Sequence, residues 1–422
     1  MLGRAGALEY SIWWYGGSTG GAAEHWAAPA RRESVNMAVI RGDIGRCVQS
    51  GGCEHRMKIA ILGIRGVPAK YGGLETCGEE VGARLVERGH EVYCYCRSGT
   101  EDDTLTEWRG IRRINLPTLR YKFTDTYVHS LLACLHVLKL RPDVVLAFNP
   151  AISTLCVIPR MFGLSIVLNP NGFDWRRPKW GALARRFIYL SAYIAAKVCN
   201  RLIIDAKSVS DYFETDFDCD PIHIPNGAVT DAVSTNPEVL EKYGLKKDGY
   251  FLFLSRHVPD NSCELIIEAF EGLQTDKKLV FGGGDPGDSE YAARLRNTKD
   301  PRIIFPGAIY DPVAVKELHH GAYALIHGNQ PGGTSLGLLK GMGYGSCVLT
   351  LDTVDNAYVV QDAGLTYRLS AEDLRGKLKY LLDHPERVEE LRRLAVARIA
   401  SAYSWEYITS QYEAVLTQAA GK

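Results

Sequence analysis

The sequence has no excess of either charge: 49 Lys and Arg stand against 49 Asp and Glu, a formal net charge of zero. Without a basic field it is a poor grip for a polyphosphate backbone, which argues against nucleic acid as its main ligand. Long apolar runs are missing too. The uncharged stretch over residues 144–159 is interrupted by Asn149-Pro150, and Phe187 to Ala196 falls short of the roughly 20 residues a bilayer span needs. Paired cysteine spacing is also lacking. The 11 cysteines are odd in number, and most (Cys134, Cys156, Cys199, Cys263, Cys347) sit singly among apolar residues, as small hydrophobes in a reducing cytoplasm do. Cys94-Tyr-Cys96 has no second pair to complete a zinc site, and Asp216-Phe-Asp218-Cys-Asp220 reads as surface acids after a helix-like run. No metal is expected.

What is present is ordinary globular composition, 46% hydrophobic and 23% charged, over 422 residues, enough for two or three domains. The first 56 residues stand apart. They are rich in Gly, Ala, Ser and Arg without sustained periodicity, and Ile12-Trp13-Trp14-Tyr15 is too short for a signal-peptide core. They are expected to form a flexible extension, or to follow from a start codon placed too far upstream. Met57-Lys58-Ile59-Ala60-Ile61-Leu62 then begins like the first strand of an α/β domain.

From there short apolar runs alternate with helical patterns, the signature of βαβ units and parallel sheets. Strands are expected at 58–62, 91–96, 143–148, 165–168 and 201–204, with helices at 74–88, 126–139 and 180–198. Pro225-Asn226-Gly227 opens a polar segment to about Pro237, after which the pattern restarts with a strand at 250–254. Further strands at 278–281, 302–305, 323–326 and 347–351 are expected, with helices at 263–273, 312–319, 335–342, 371–382, 385–402 and 405–418. Two doubly wound halves imply a bilobed enzyme with a small-molecule cleft between its lobes.

The loop Gly63-Ile-Arg-Gly66-Val-Pro-Ala-Lys-Tyr-Gly72-Gly73-Leu-Glu75-Thr76 joins the first strand to the first helix. Its glycines let backbone approach a ligand at a helix N-terminus. It is neither the dinucleotide fingerprint nor a P-loop. On spacing alone a tight turn fits as well as an anion site.

This loop closely resembles the opening of bacterial family 4 glycosyltransferases of the rhamnosyltransferase type. Further matches follow in order: Tyr121-Lys122 with Asp125-Thr126 and His129-Ser130, Asn171-Gly172-Phe173-Asp174-Trp175-Arg176-Arg177-Pro178-Lys179-Trp180, Ser255-Arg256 with Pro259-Asp260-Asn261, Pro306 to Tyr310, and Gly332-Gly333-Thr334-Ser335. The resemblance implies the GT-B fold: two Rossmann-like domains facing a central cleft. Residues 57–230 would form the acceptor domain and 231–400 the nucleotide-sugar domain, with a helix over 401–422 returning to the first domain.

It further implies a retaining transfer of a sugar, rhamnose from a dTDP donor, to a polysaccharide or lipid-linked acceptor in the cytoplasm. The nucleotide sugar would be a co-substrate, with no cofactor. Arg256 suits a diphosphate because guanidinium matches phosphate oxygens bidentately. The Thr334-Ser335 helix start would be a second cradle with a hydroxyl at its cap. Gly66, Gly72, Gly73, Asn261, Gly333 and Lys340 complete the expected donor site. His129 and Asp174 would orient donor sugar and acceptor, and Lys122, Asn171, Trp175, Arg176, Arg177 and Lys179 would form the acceptor groove. The bias over 173–197, six basic residues to one acid, suits docking on an anionic membrane face; it equally suits a helix with a solvated basic side.

Glutamates eight apart are common around the last glycine loop of the wider superfamily, where this chain has Gly332 and Lys340; Gly332 is normal for the rhamnosyltransferase branch, but that branch usually keeps the second glutamate, and Asn171 stands where Asp is common. Lys340 cannot accept hydroxyl hydrogen bonds as a glutamate would. It motivates a second reading, a catalytically degenerate GT-B scaffold that binds a glycan or partner. A sugar-nucleotide epimerase shares the same architecture.

Overall fold

Strand β1 (Lys58–Leu62) is buried from Ile59 onward, as a strand covered by helices on both sides must be. It is the centre of the first lobe in a computed structural model that describes residues 56–69, 72–99, 103–119, 124–176, 180–236, 238–284, 290–330 and 333–422. The expected leader lies outside these, apart from Arg56.

Among the described residues, β2 (Glu91–Arg97), β3 (Glu107–Trp108), β4 (Ile111–Leu116), β5 (Val144–Phe148), β6 (Ile166–Asn169), β7 (Arg201–Ile204) and β8 (Ile222–His223) join β1 in the order β3-β4-β2-β1-β5-β6-β7-β8. Every pairing is parallel except β3 with β4. Helices α1 (Gly73–Glu87), α2 (Thr124–Leu140), α3 (Ser153–Met161), α4 (Ala182–Val198) and α5 (Lys207–Asp216) supply the crossovers. The edge pair β3–β4 and helix α3 were not expected from the sequence. Ile111-Arg-Arg-Ile-Asn-Leu116 is too polar to read as an apolar run, and α3 carries Pro159 inside it.

The second lobe repeats the plan. After α6 (Glu238–Lys242), strands β9 (Tyr250–Leu254), β10 (Lys278–Gly282), β11 (Ile303–Ile304), β12 (Ala324–His327), β13 (Val348–Leu351) and β14 (Leu365–Tyr367) form a parallel sheet ordered β11-β10-β9-β12-β13-β14. It is covered by α7 (Cys263–Glu271), α8 (Glu290–Leu295), α9 (Pro312–Gly321), α10 (Leu336–Gly343), α11 (Val354–Val360), α12 (Ala371–Asp383) and α13 (Pro385–Ala402). In both sheets the strand order reverses beside the first strand, at β1/β5 and at β9/β12. Doubly wound sheets bind ligands beyond the carboxyl ends of the strands at such reversals.

The chain crosses between lobes twice, side by side: Ala228 N–H donates to the Tyr403 carbonyl at 2.8 Å, and Ala228 bridges Ser404. Helix α14 (Trp405–Ala420) then lies on the first lobe. Its Trp405, Ile408, Tyr412, Val415 and Leu416 belong to the same buried cluster as Ile59, Ile61, Cys77 and Val81. Arg88 adds ion pairs to Glu413 at 2.7 Å and Glu406 at 3.1 Å. A β-carbon on Gly227 would lie 2.6 Å from the Trp405 ring, so only glycine fits beneath the indole. Trp405→Ala should therefore cost about 3–5 kcal/mol in urea unfolding; a loss below about 1 kcal/mol would show α14 to be dispensable to the core.

Candidate functional site

The second lobe's reversal places two loops together. Residues 255–262 follow β9 and residues 328–335 follow β12. Ser262 Oγ donates to the Gly328 carbonyl at 2.9 Å, and Gln330 N–H to the Asp260 carbonyl at 2.9 Å. A β-carbon on Gly328 would come within 2.4 Å of the Asn261 carbonyl oxygen, so the loops pack backbone to backbone. Asn261 is buried, and its amide donates to Ser255 Oγ at 2.9 Å and the Arg256 carbonyl at 2.8 Å. In this structure it braces the loop that carries Arg256. The Arg256 side chain is exposed and, among the described residues, has no hydrogen-bond or ion-pair partner.

Helix α10 begins at the other loop. Ser335 is its N-cap residue, but its hydroxyl makes no capping bond. The first-turn N–H groups, which no helix can satisfy internally, keep their partial positive charge. Thr334, expected at the cap, instead points its hydroxyl at the Asp205 carbonyl of the first lobe. The structure thus carries an exposed guanidinium and a helix start without a side-chain cap on loops that interlock. Lys340, in the last turn of α10, is exposed. Its charge is the second cause, after burial, that holds the enclosed His319 down to about 3.

The first lobe's loop is differently disposed. Gly66, with φ of 141°, abuts Cys96, whose Cβ would be 2.9 Å from an added β-carbon. The Glu75 carboxylate folds back over the start of α1 and accepts from the Arg65 N–H at 3.3 Å. It also fills the space a side chain on Gly72 would need. A negative charge already occupies this helix terminus, so the second lobe is the better anion site. Gly73 faces the second lobe, 3.5 Å from Leu336 Cδ1 measured from an added β-carbon.

His129 is fully enclosed, and neither ring nitrogen has a hydrogen-bond partner among the described residues. Burial, and then the Arg97 guanidinium, pull its pKa down to about 4, so the ring is neutral at pH 7. Asp125 and Thr126 of the same motif hold Arg97, at 2.6 and 3.1 Å. Trp175 is buried among Phe173, Tyr189, Tyr212, Phe213 and Phe217, edge-on to the first two and tilted against the other three. Arg176 is exposed and lies over the Phe173 ring at 4.3 Å. Asp174 is half-buried in the single helical turn Asp174–Arg176. Lys122, Arg177, Lys179 and Gly332 lie outside the described residues.

The lobes meet at residues the sequence reading missed. Asp205 closes the carboxyl end of β7 and is 3% exposed. Its Oδ2 accepts from Asn226 Nδ2 at 3.0 Å, and the same amide reaches the Thr334 carbonyl at 3.4 Å. Burial, reinforced by the Asp355 and Asp174 carboxylates, raises the Asp205 pKa from 3.8 to about 7. A β-carbon on Gly333 would lie 3.8 Å from Asp205 Oδ2 and 4.0 Å from Asn171 Oδ1. Asn169 steadies Asn171, accepting its N–H at 2.9 Å, and donates to the Tyr412 hydroxyl of α14 at 2.9 Å. Nearby, Asp355 of α11 accepts from Ser208 N–H at 2.9 Å and Ser208 Oγ at 2.7 Å, capping a first-lobe helix from the second lobe. The signal available for Asp205 was its place just after a parallel strand, where ligands collect.

Residues 56–224 match the family described as "Domain of unknown function (DUF1972)". No curated protein matches the chain. Among solved structures it is similar to sucrose-phosphate synthase from Thermosynechococcus elongatus, at TM-score 0.74 and 16% identity over 86% of this chain and 99% of that one. It is also similar to HepE of Anabaena in complex with UDP and glucose, at TM-score 0.71 and 14% identity over 86% and 100%. WaaG, a glycosyltransferase involved in lipopolysaccharide biosynthesis, matches at TM-score 0.63 and 19% identity over 86% and 100%. At these identities the likeness is one of fold. The chain has the two-lobed α/β architecture of GT-B glycosyltransferases.

Proposed function

We propose that the protein transfers a sugar from a nucleotide-sugar donor to a polysaccharide or lipid-linked glycan, with dTDP-rhamnose as donor and configuration retained. The observation that carries this reading is the exposed Arg256 guanidinium, without a partner among the described residues, on a loop interlocked with the one leading to the start of α10, at the strand-order reversal of the second lobe. As the bond from the sugar's anomeric carbon to the diphosphate breaks, its electron pair stays on the phosphate oxygen. Guanidinium and helix terminus stabilise that charge, and the reading needs no metal. The acceptor hydroxyl oxygen bonds to the anomeric carbon, and its proton passes to the departing diphosphate. The structural likeness to HepE supports the donor class: that protein is in complex with UDP and glucose in one structure and with UDP-glucose in another.

The test is a panel of nucleotide sugars, dTDP-rhamnose, UDP-glucose and GDP-mannose among them, read by release of the nucleoside diphosphate and by thermal shift. Release with one donor is expected. Silence across the panel in both readouts would sink the proposal.

A lipid-linked acceptor would meet the protein on the first lobe. No helix among the described residues is long and apolar enough to cross a membrane. Yet Met161 and Phe162 at the end of α3, and Leu183 and Leu190 on α4, are exposed, at 79, 72, 83 and 52%. Arg160, Arg185 and Arg186 lie among them, also exposed. Exposed apolar side chains with arginines next to them in the sequence suit the inner, anionic face of a membrane. Leu183→Glu with Leu190→Glu should abolish co-sedimentation with phosphatidylglycerol vesicles while leaving donor release in solution unchanged. Equal sedimentation of variant and parent would remove the membrane from this account.

A further inference from the structure

The second lobe has a concavity built from none of the loop residues that carry Arg256 and Ser335. Its volume is about 920 Å3, toward the upper end of the roughly 300–1,000 Å3 of small-molecule sites. Helix α12 lines it with Glu372, Asp373, Gly376, Lys377 and Tyr380. Spacings of three and four put these residues on one side of the helix, while Leu374, Leu378 and Leu381 pack the other side into the core. Arg368, just past the edge strand β14, and Arg387, in the first turn of α13, line it too.

The charges here are already matched. Arg368 holds Asp373, side chain to Oδ1 at 2.9 Å and backbone N–H to Oδ2 at 2.8 Å. Arg387 holds Glu390 at 2.5 Å. Lys377 and Glu372 remain, one of each sign. With no surplus of positive charge, a phosphate or an acidic polymer gains little and meets two carboxylates. An apolar ligand would strip water from the ions at a cost. Donors and acceptors side by side suit a neutral polyhydroxylated molecule, because each sugar hydroxyl both donates and accepts.

Tyr380 adds an aromatic surface. Its ring is 40% exposed and stacks on His384, with centroids 4.4 Å apart and planes 28° from parallel. The stack restricts the ring's rotation, and an aromatic face, being electron-rich, attracts the C–H groups along a sugar ring. One turn before it, a β-carbon added at Gly376 would meet nothing within 4 Å, so the lining is open beside the ring.

We propose that this concavity is a second binding site for the glycan chain, holding a neutral oligosaccharide segment away from the site of transfer. The proposal rests on the reading of the acceptor as a glycan. A chain gripped both here and at the cleft presents its reacting end at a raised effective concentration, without any tighter contact where transfer occurs.

Calorimetry with neutral oligosaccharides, hexamers of rhamnose, glucose and mannose, tests this in the absence of nucleotide. Tyr380→Ala removes the ring and Gly376→Leu fills the opening, and both positions are exposed, so the fold tolerates either change. The parent is expected to bind at least one hexamer. Each variant should lose roughly fivefold or more in affinity for it while binding UDP and dTDP within about twofold of the parent. Hexamer binding unchanged in both variants, or no hexamer bound by the parent, overturns the proposal. So does a matching loss of diphosphate affinity, which would make the concavity part of a nucleotide site. If the nucleotide-sugar panel is silent while hexamer binding still depends on Tyr380 and Gly376, the transfer reading fails and the glycan site stands without it.

Discussion

Asp205→Asn gains stability over the parent protein as pH rises from 4 to 8. Burial first, and then the Asp355 and Asp174 carboxylates, place the folded-state pKa at about 7 against an ordinary 3.8. Between those values the folded chain keeps a proton that the unfolded chain has lost. Parent stability therefore falls as pH climbs through this window and levels off above it. The full distance between 3.8 and about 7 corresponds to on the order of 4 kcal/mol, or roughly 5 °C in Tm for a cooperative unit of this size. Asparagine carries no charge and escapes the penalty. Urea unfolding at pH 4 and pH 8 reads the difference directly. Parallel pH profiles for parent and variant would show that Asp205 does not titrate in this window.

The outcome bears on function as well as stability. A carboxylate that serves only the fold should be missed when replaced. One kept against its own solvation cost, for the sake of a ligand, should leave the protein firmer and less able when removed.

Arg256→Ala should be the most damaging single change for nucleotide binding. The side chain is exposed and has no partner among the described residues, so its loss leaves folding untouched. A charge-assisted contact of about 1.5–3 kcal/mol to the diphosphate corresponds to roughly 10- to 150-fold in Kd. Arg256→Lys keeps the charge but not the bidentate geometry and should recover only part of it. Titration with UDP and dTDP in 50 and 200 mM salt checks this. If Arg256→Ala binds either diphosphate as the parent does, the anion site lies elsewhere.

The sequence exposed local features and concealed distributed ones. That Arg256 and Gly333-Thr334-Ser335 lie in loops was legible because each falls between an apolar strand and a helix, and a strand-to-helix loop is a short-range pattern. The doubly wound alternation was legible for the same reason, since Val, Ile and Leu runs mark every central strand. Asp205 was not. Ile203-Ile204-Asp205-Ala206-Lys207 reads as an ordinary connection, and the partners that give the aspartate meaning are 21 residues away at Asn226 and 129 away at Thr334. The burial of Trp175 was equally hidden, since the rings of α4 and α5 packed against it lie farther along the chain. Thr334 lies just before the helix whose N-cap is Ser335, and nothing in its neighbours revealed that its hydroxyl would serve the other lobe.

Helix α14 carries a further consequence, one of timing. Trp405, Ile408, Tyr412, Val415 and Leu416 complete a cluster whose other members begin at Met57. During synthesis the first lobe emerges from the ribosome first, yet its core stays open until some 350 residues later. The second lobe, from α6 through α13, has all of its own strands and helices once residue 402 is out. The half made last is therefore the half that can finish folding first. The exposed flank of β1 and α1 must be sheltered from aggregation over that whole interval.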